Sequence, residues 1–369
     1  MARWTSAGST LLVAATLLAS PLATTAAPPA GDAEASAGAA LFGDAGEAYA
    51  YLRGIIATGR MDKAKAEAAS AAVSDASARD PSEARWVLGM SIAMYLNNDF
   101  AGARAAAEKG IALAPQNPEG HYLFGNACFG GIMDASTIDQ MSLSGKGKKA
   151  YEKAVELDPG HVDAHIALFQ FYLNAPGIAG GSFRKARQHA AEVGKVDGYA
   201  VQGALMLAHV EAKDEEWKAM DKALDAAEGA AATEEDKRSV AIMRARLLLR
   251  EKKDPKAAMP SIQRVIDLGK TVAPKDMSGY ILLGEAHREL KEYPAAISAY
   301  LRMLESEGPA PEDPSPTVRY GLGKAYEAVG ENEKALAMLE DFLTKFPKDR
   351  RADDAKSTAK KIQRRLGRS

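Results

Sequence analysis

The chain has 369 residues, a formal net charge of −2, and 47% apolar and 26% charged residues. These proportions exclude a chain disordered throughout, and the charge excludes a generally basic nucleic-acid binder, which needs a concentrated positive surface. Alanine fills 74 positions while aromatics make up 7%, a balance that suits closely packed helices and starves a β-sheet of branched and aromatic side chains. The expected fold class is all-α, and the single cysteine, Cys128, excludes an internal disulfide and any zinc site needing two thiolates.

In chain order, Arg3 is the only charge ahead of an apolar run from Leu11 to Ala19, which Pro21 and small residues through Ala27 follow. Charge, short apolar segment and small-residue exit are the parts of a secretory signal, with cleavage expected after Ala26. The run is far shorter than the roughly 20 residues a membrane span requires. Residues 1–26 therefore read as a cleaved signal peptide, which predicts a periplasmic or, alternatively, secreted protein. Residues 27–42 are rich in Pro, Ala and Gly and read as a flexible leader.

From 43 to 347 the sequence repeats itself. Faint helix pairs span Tyr49 to Ser74, Tyr199 to Ala227 and Ser239 to Leu268. Clearer units comprise Asn98 to Pro115; His121-x-x-Phe124-Gly125-x-x-Cys128, with its second half from Ala150 to Pro159; and His165-x-x-Leu168-Phe169-x-x-Tyr172, with Ala186 and Ala190. The clearest are Tyr280-x-x-Leu283-Gly284-x-x-His287 with Tyr293, Ala296 and Tyr300, and Arg319-x-x-Leu322-Gly323-x-x-Tyr326 with Gly330, Ala335, Leu339 and a closing Pro347. Two insertions interrupt the period, near 130–147 and 174–182. The first carries Met133, Ile138, Met141 and Leu143 and is expected to lengthen a helix or cover one end of a groove. The second ends at Ser182, a candidate helix cap behind two glycines whose amides could converge on an anion.

These units resemble the tetratricopeptide repeat, whose pattern of aromatic, Leu-Gly, Tyr, Ala, aromatic and Pro runs over about 34 residues. The resemblance implies about eight antiparallel helix hairpins stacked into a right-handed superhelical α-solenoid. Leu283, Gly284, Ala296, Tyr300, Leu322, Gly323, Tyr326, Ala335 and Pro347 would be its packing residues. Leu-Gly on the first helix would let the second approach its backbone, and stacking would bury faces that one hairpin cannot bury alone. The segment Phe342-Leu343-x-x-Phe346-Pro347 and the Ala-rich basic helix after it also resemble the ends of arrays in envelope-assembly proteins of Gram-negative bacteria, so the chain reads as an exported bacterial type.

The family's site is the concave groove lined by first helices. Here that implies Leu88, Ile92, Tyr95, Tyr122, Asn126, Phe129, Ile166, Gln170 and Asn174 as partner-binding residues, with amides to pair a peptide backbone and aromatics to supply apolar area. Toward the carboxyl end the lining turns charged, through Glu285, Arg288, Glu289, Lys324 and Glu327. Tyr122 stands four residues before Asn126, so the Lys–Asn clamp that some members use for a terminal carboxylate is not reproduced. Neither Gly-rich stretch has phosphate-loop spacing. His161-x-Asp163-x-His165 could offer two imidazoles, but one falls in a turn and the other in the repeat's aromatic slot, so no metal, cofactor or catalytic set is expected. Residues 348–369, with nine Lys or Arg against three Asp, read as a basic capping helix able to touch an anionic membrane surface. The reading is a non-catalytic scaffold that binds protein partners of unspecified identity and no nucleic acid. The alternative is a periplasmic small-ligand binder or a membrane-surface tether using the insertions or the basic tail.

Overall fold

The computed structural model describes residues 41–59, 61–133, 135–274, 276–304 and 316–368. The expected signal peptide and the leader through residue 40 lie outside the described residues. Among those described there are 17 α-helices and no strand, and none of the helices is long and apolar enough to cross a membrane. The fold is an all-α array of antiparallel helix hairpins.

The chain divides into two compact units at Val210 and Glu211. The first contains α1 (Ala45–Thr58), α2 (Lys63–Arg79), α3 (Ala84–Leu96), α4 (Phe100–Leu113), α5 (Pro118–Gly130), α6 (Thr137–Leu157), α7 (Val162–Asn174) and α8 (Phe183–Lys195), with most of α9 (Ala200–Lys213). The second contains α10 (Trp217–Ala230), α11 (Glu234–Arg246), α12 (Pro255–Val272), α13 (Ser278–Glu289), α14 (Tyr293–Leu304), α15 (Pro316–Ala328), α16 (Asn332–Lys345) and α17 (Ala352–Arg365). Within each unit, α1/α2, α3/α4, α5/α6, α7/α8, α11/α12, α13/α14 and α15/α16 pair as hairpins, and each packs on the next in sequence.

Local chemistry starts these helices where they start. Side chains of Asp44, Asp62, Asp99, Asn117, Ser136, Ser182 and Asp254 accept from first-turn amides, and Thr233 with Asp236 forms a reciprocal capping box. Small residues then let the two helices of a pair close up. A Cβ on Gly284 would lie 2.5 Å from the Tyr300 ring, one on Gly125 2.4 Å from Tyr151, and one on Gly323 2.7 Å from Leu339. Large side chains of the second helix, and not only its alanines, therefore fill the space the glycine leaves. Ala296, Tyr300, Leu322, Tyr326 and Ala335 are buried together in the core of the second unit. Leu283 is half-buried beside the fully buried Leu282. Pro347 sits exposed in the turn between α16 and α17, and α17 covers the end of the unit with Ala352, Ala355, Ala359 and Ile362 inward.

The first insertion lengthens α6 to 21 residues against 13 for its partner α5. Beyond α11 the helix continues as a π-helical turn over Leu247–Glu251, closed by a bond from the Lys252 amide to the Leu247 carbonyl at 3.0 Å.

Among the described residues six turns share a left-handed residue two positions ahead of the helix that follows: Asn98 before α4, Gly198 before α9, Glu215 before α10, Lys253 before α12, Lys291 before α14 and Gly330 before α16. Only Gly198 and Gly330 adopt that backbone without a Cβ penalty. Replacing Lys291 or Lys253 by glycine is expected to stabilise the fold by about 0.5–1 kcal/mol each, read as a rise in the urea midpoint at unchanged slope. A lowered midpoint would show that the lysine side chain contributes more than the turn costs.

Candidate partner-binding face

The inner residues singled out in the first unit come from α3, α5 and α7, the first helices of successive hairpins. Helical periodicity places Tyr122, Asn126 and Phe129 on one side of α5, and Ile166, Gln170 and Asn174 on one side of α7. Phe129 joins the two helices, stacking parallel on Tyr151 of α6 at 5.5 Å and meeting Phe171 of α7 at 6.1 Å. The Tyr151 hydroxyl donates to Asn126 Oδ1 at 2.8 Å.

The structure sorts the nine residues into two groups. Leu88 and Ile92 are fully enclosed, with Leu88 filling the space beside Gly110 of α4, so both build the core and present no surface. Tyr122 and Gln170 are also buried, Tyr122 because its ring is covered. Tyr95, Asn126, Phe129, Ile166 and Asn174 keep partial exposure. Tyr95 packs edge-on against Phe100, and burial raises its hydroxyl pKa.

The cover over Tyr122 is an ion-pair cluster without a local sequence signature. Arg53 of α1 lies 5.0 Å from the Tyr122 ring centre, pairs with Glu119 of α5 at 2.5 Å and hydrogen-bonds Asp163 of α7. His161 closes the group, 3.5 Å from Glu119 and 5.1 Å ring to ring from Tyr122. Burial opposes the charge of Arg53, but Glu119, Tyr122 and Asp163 outweigh it and hold the guanidinium firmly protonated. The amino-terminal ends of α5 and α7 are thus bridged by Arg53. The carboxyl-terminal halves, carrying Asn126, Phe129, Gln170 and Asn174, lie outside that bridge.

At this end, Asn174 Nδ2 donates to the Gln170 carbonyl oxygen at 2.9 Å and to its Oε1 at 3.2 Å. Gln170 Nε2 is left buried with no acceptor. A buried donor without a partner costs about 1–3 kcal/mol relative to a satisfied one.

The histidines expected in a turn and an aromatic slot are both structural. His165 bonds the Pro159 carbonyl through Nε2 at 3.0 Å and meets His189 of α8 Nδ1 to Nδ1 at 2.9 Å, while His189 stacks on Tyr172. Among the described residues, no group of three or more His, Cys, Asp or Glu is placed to hold a metal. In the second insertion the amides that could have met an anion are spent within the loop: Gly180 donates to Gly177 O, Gly181 to Pro176 O and Ser182 to Tyr172 O. Ser182 caps α8. Cys128 is buried, and that burial pushes its thiol up to about 11, far from a thiolate nucleophile at neutral pH.

Two other surfaces complete the inventory. A cleft lined by Asp99, Phe100, Arg104, Leu143 and Lys146 separates the start of α4 from the lengthened part of α6. In the second unit the charged lining is internally paired, Arg250 with Glu285 at 3.0 Å, Arg288 with Glu289 at 2.6 Å, and Lys324 with both Glu327 and Asp354 at 3.4 Å.

Residues 56–118 and 242–314 match the family model described as the tetratricopeptide repeat. No curated protein matches the sequence. Among solved structures, yeast Tom70 aligns with TM-score 0.62 at 13% identity over 90% of this chain and 66% of its own. The Cut9–Hcn1 hetero-tetramer of the APC/C aligns at 0.47 and 16% identity, over 80% of this chain and 52% of that one. A tetratricopeptide repeat protein from Parabacteroides merdae aligns at 0.45 and 10% identity, over 86% and 98%. The chain thus spans about half to two thirds of the first two proteins it resembles, and the Tom70 likeness is one of fold.

Two outcomes are expected from this geometry. Arg53→Ala leaves Glu119 and Asp163 without their cation and should cost about 2 kcal/mol, measured by urea unfolding; an unchanged midpoint would mean the bridge is solvated and carries no stability. The histidine pair should give acid sensitivity. Burial, then the proximity of His165, lowers His189 from 6.5 to about 4, and burial lowers His165 against the opposing Pro159 hydrogen bond and Glu192. Both imidazoles are favoured neutral in the folded state, so their contribution is complete above pH 6.5 and is lost as pH falls toward about 4. His189→Gln should flatten the decline of melting temperature over that window.

Proposed function

We propose that this array of tetratricopeptide repeats is a non-catalytic scaffold of the bacterial envelope that binds an extended segment of a partner protein along the open halves of α5 and α7. The observation that carries the reading is the partly exposed Asn174 at the end of α7, whose side-chain oxygen accepts no hydrogen bond among the described residues. An extended backbone presents an N–H at every residue, so it can meet the Asn174 oxygen whatever its side chains. Phe129 and Ile166 supply apolar area alongside. Export rests on Arg3, the Leu11–Ala19 run and the small residues at Thr24-Thr25-Ala26.

The cleft between α4 and α6 supports a second reading, a small ligand held at Arg104 and Lys146. The two separate in one experiment, cross-linking in intact cells followed by capture from the envelope fraction. Parent protein is compared with an Asn126→Ala, Ile166→Ala, Asn174→Ala variant that has the same helical circular dichroism and melting temperature. These three positions are partly exposed, so the variant tests the surface without emptying the core. A specific protein captured by the parent and lost from the variant is the expected result. Equal capture by both would overturn the site, and recovery of the protein only in cytosol would overturn the envelope setting.

A further inference from the structure

The second unit holds a cation that its own fold does not neutralise. On α11 and the π-helical turn that follows it, Arg238, Arg246 and Arg250 lie near the start and inner part of α13. Arg238 is taken by Asp276 at 3.0 Å and Ser278 at 3.1 Å. Arg250 is taken by Glu285, its Nη2 lying 3.0 Å from both carboxylate oxygens. Arg246, between them, makes no hydrogen bond or ion pair among the described residues, and its Nε is buried without an acceptor. Three guanidiniums thus meet two carboxylates. Burial, and then the neighbouring Arg250, disfavour the charged form of Arg246 and outweigh the opposing pull of Glu285 and Asp276.

A buried unpaired guanidinium is costly, and an apolar side chain of similar size would cost less. Its terminal nitrogens are not among the buried unpaired atoms, so the fork of Arg246 reaches solvent while its Nε does not. The π-helical turn that starts at the next residue shifts the register that sets where Arg250 and its partner Glu285 stand. We propose that Arg246 anchors an oxyanion-binding site in the second unit that takes a carboxylate side chain of an acidic partner segment, received by the planar fork that no carboxylate among the described residues pairs. The site is independent of the amide pair on α7 and takes a different chemistry.

The test uses the full chain and a fluorescein-labelled acetyl-tetraglutamate amide peptide, with binding read by anisotropy and stability by thermal unfolding. Arg246→Met is expected to weaken peptide binding at least tenfold while raising the melting temperature, because it removes an uncompensated charge without emptying its volume. Lys360→Ala with Lys361→Ala, on the exposed face of α17, should leave binding unchanged. The tetraglutamine peptide should not bind. If Arg246→Met lowers the melting temperature and leaves anisotropy untouched, Arg246 is a packing residue and the site does not exist. Loss of binding in the α17 variant instead would place the peptide on the basic tail and overturn the assignment. Inorganic phosphate displacing the labelled peptide as well as equal unlabelled peptide, at fixed ionic strength, would overturn the choice of a protein segment over a free oxyanion.

Discussion

Everything in this molecule depends on how closely the first helix of a pair lets the second approach. Where Gly125, Gly284 and Gly323 stand, a Cβ would overlap Tyr151, Tyr300 and Leu339, so the large side chain of the second helix rests on the bare backbone of the first. That contact fixes the spacing within a hairpin, and the spacing decides which side chains of the first helix stay clear of their partner. Such contacts are short-range in sequence, each hairpin meeting the one before and after it within its unit. Stability is then a sum of hairpins and the interfaces between neighbours.

Much of this was legible from residue order. Small residues and aromatics recurring at helical spacing identify the pairs, because the packing that needs them is local. The insertions announced themselves as breaks in that period, and Ser182 as a cap, because capping is also local chemistry. Burial was less legible. Leu88 and Ile92 share the first-helix positions assigned to a binding face, yet both are enclosed. A period of 3.6 residues gives the side of the helix but not what covers it.

Long-range electrostatics left no trace in the sequence. Arg53, Glu119 and Asp163 meet across separations of 66 and 110 residues, and nothing near any of them marks the others as partners. The same holds for Arg246, which reads as an ordinary helical arginine until Asp276 and Glu285 are seen to be occupied by its neighbours. The two units consequently differ in character. The first offers amides and aromatics beyond a sealed rim, and the second offers charge, with one half-buried guanidinium left unmatched between two that are paired.

The π-helical turn after α11 closes its hydrogen-bonded ring over one residue more than an α turn does. Here three consecutive leucines, Leu247, Leu248 and Leu249, are all buried, as a widened turn allows. Removing one residue ahead of Arg250 would let the backbone return to α geometry without carrying the residues after it to another face, because the wide turn takes up the extra residue where it stands. Arg250 would keep its reach to Glu285, and what would be lost is one leucine of the buried run. The widened turn thus lets one helix bury three neighbours in a row, which ordinary α spacing would spread around its axis.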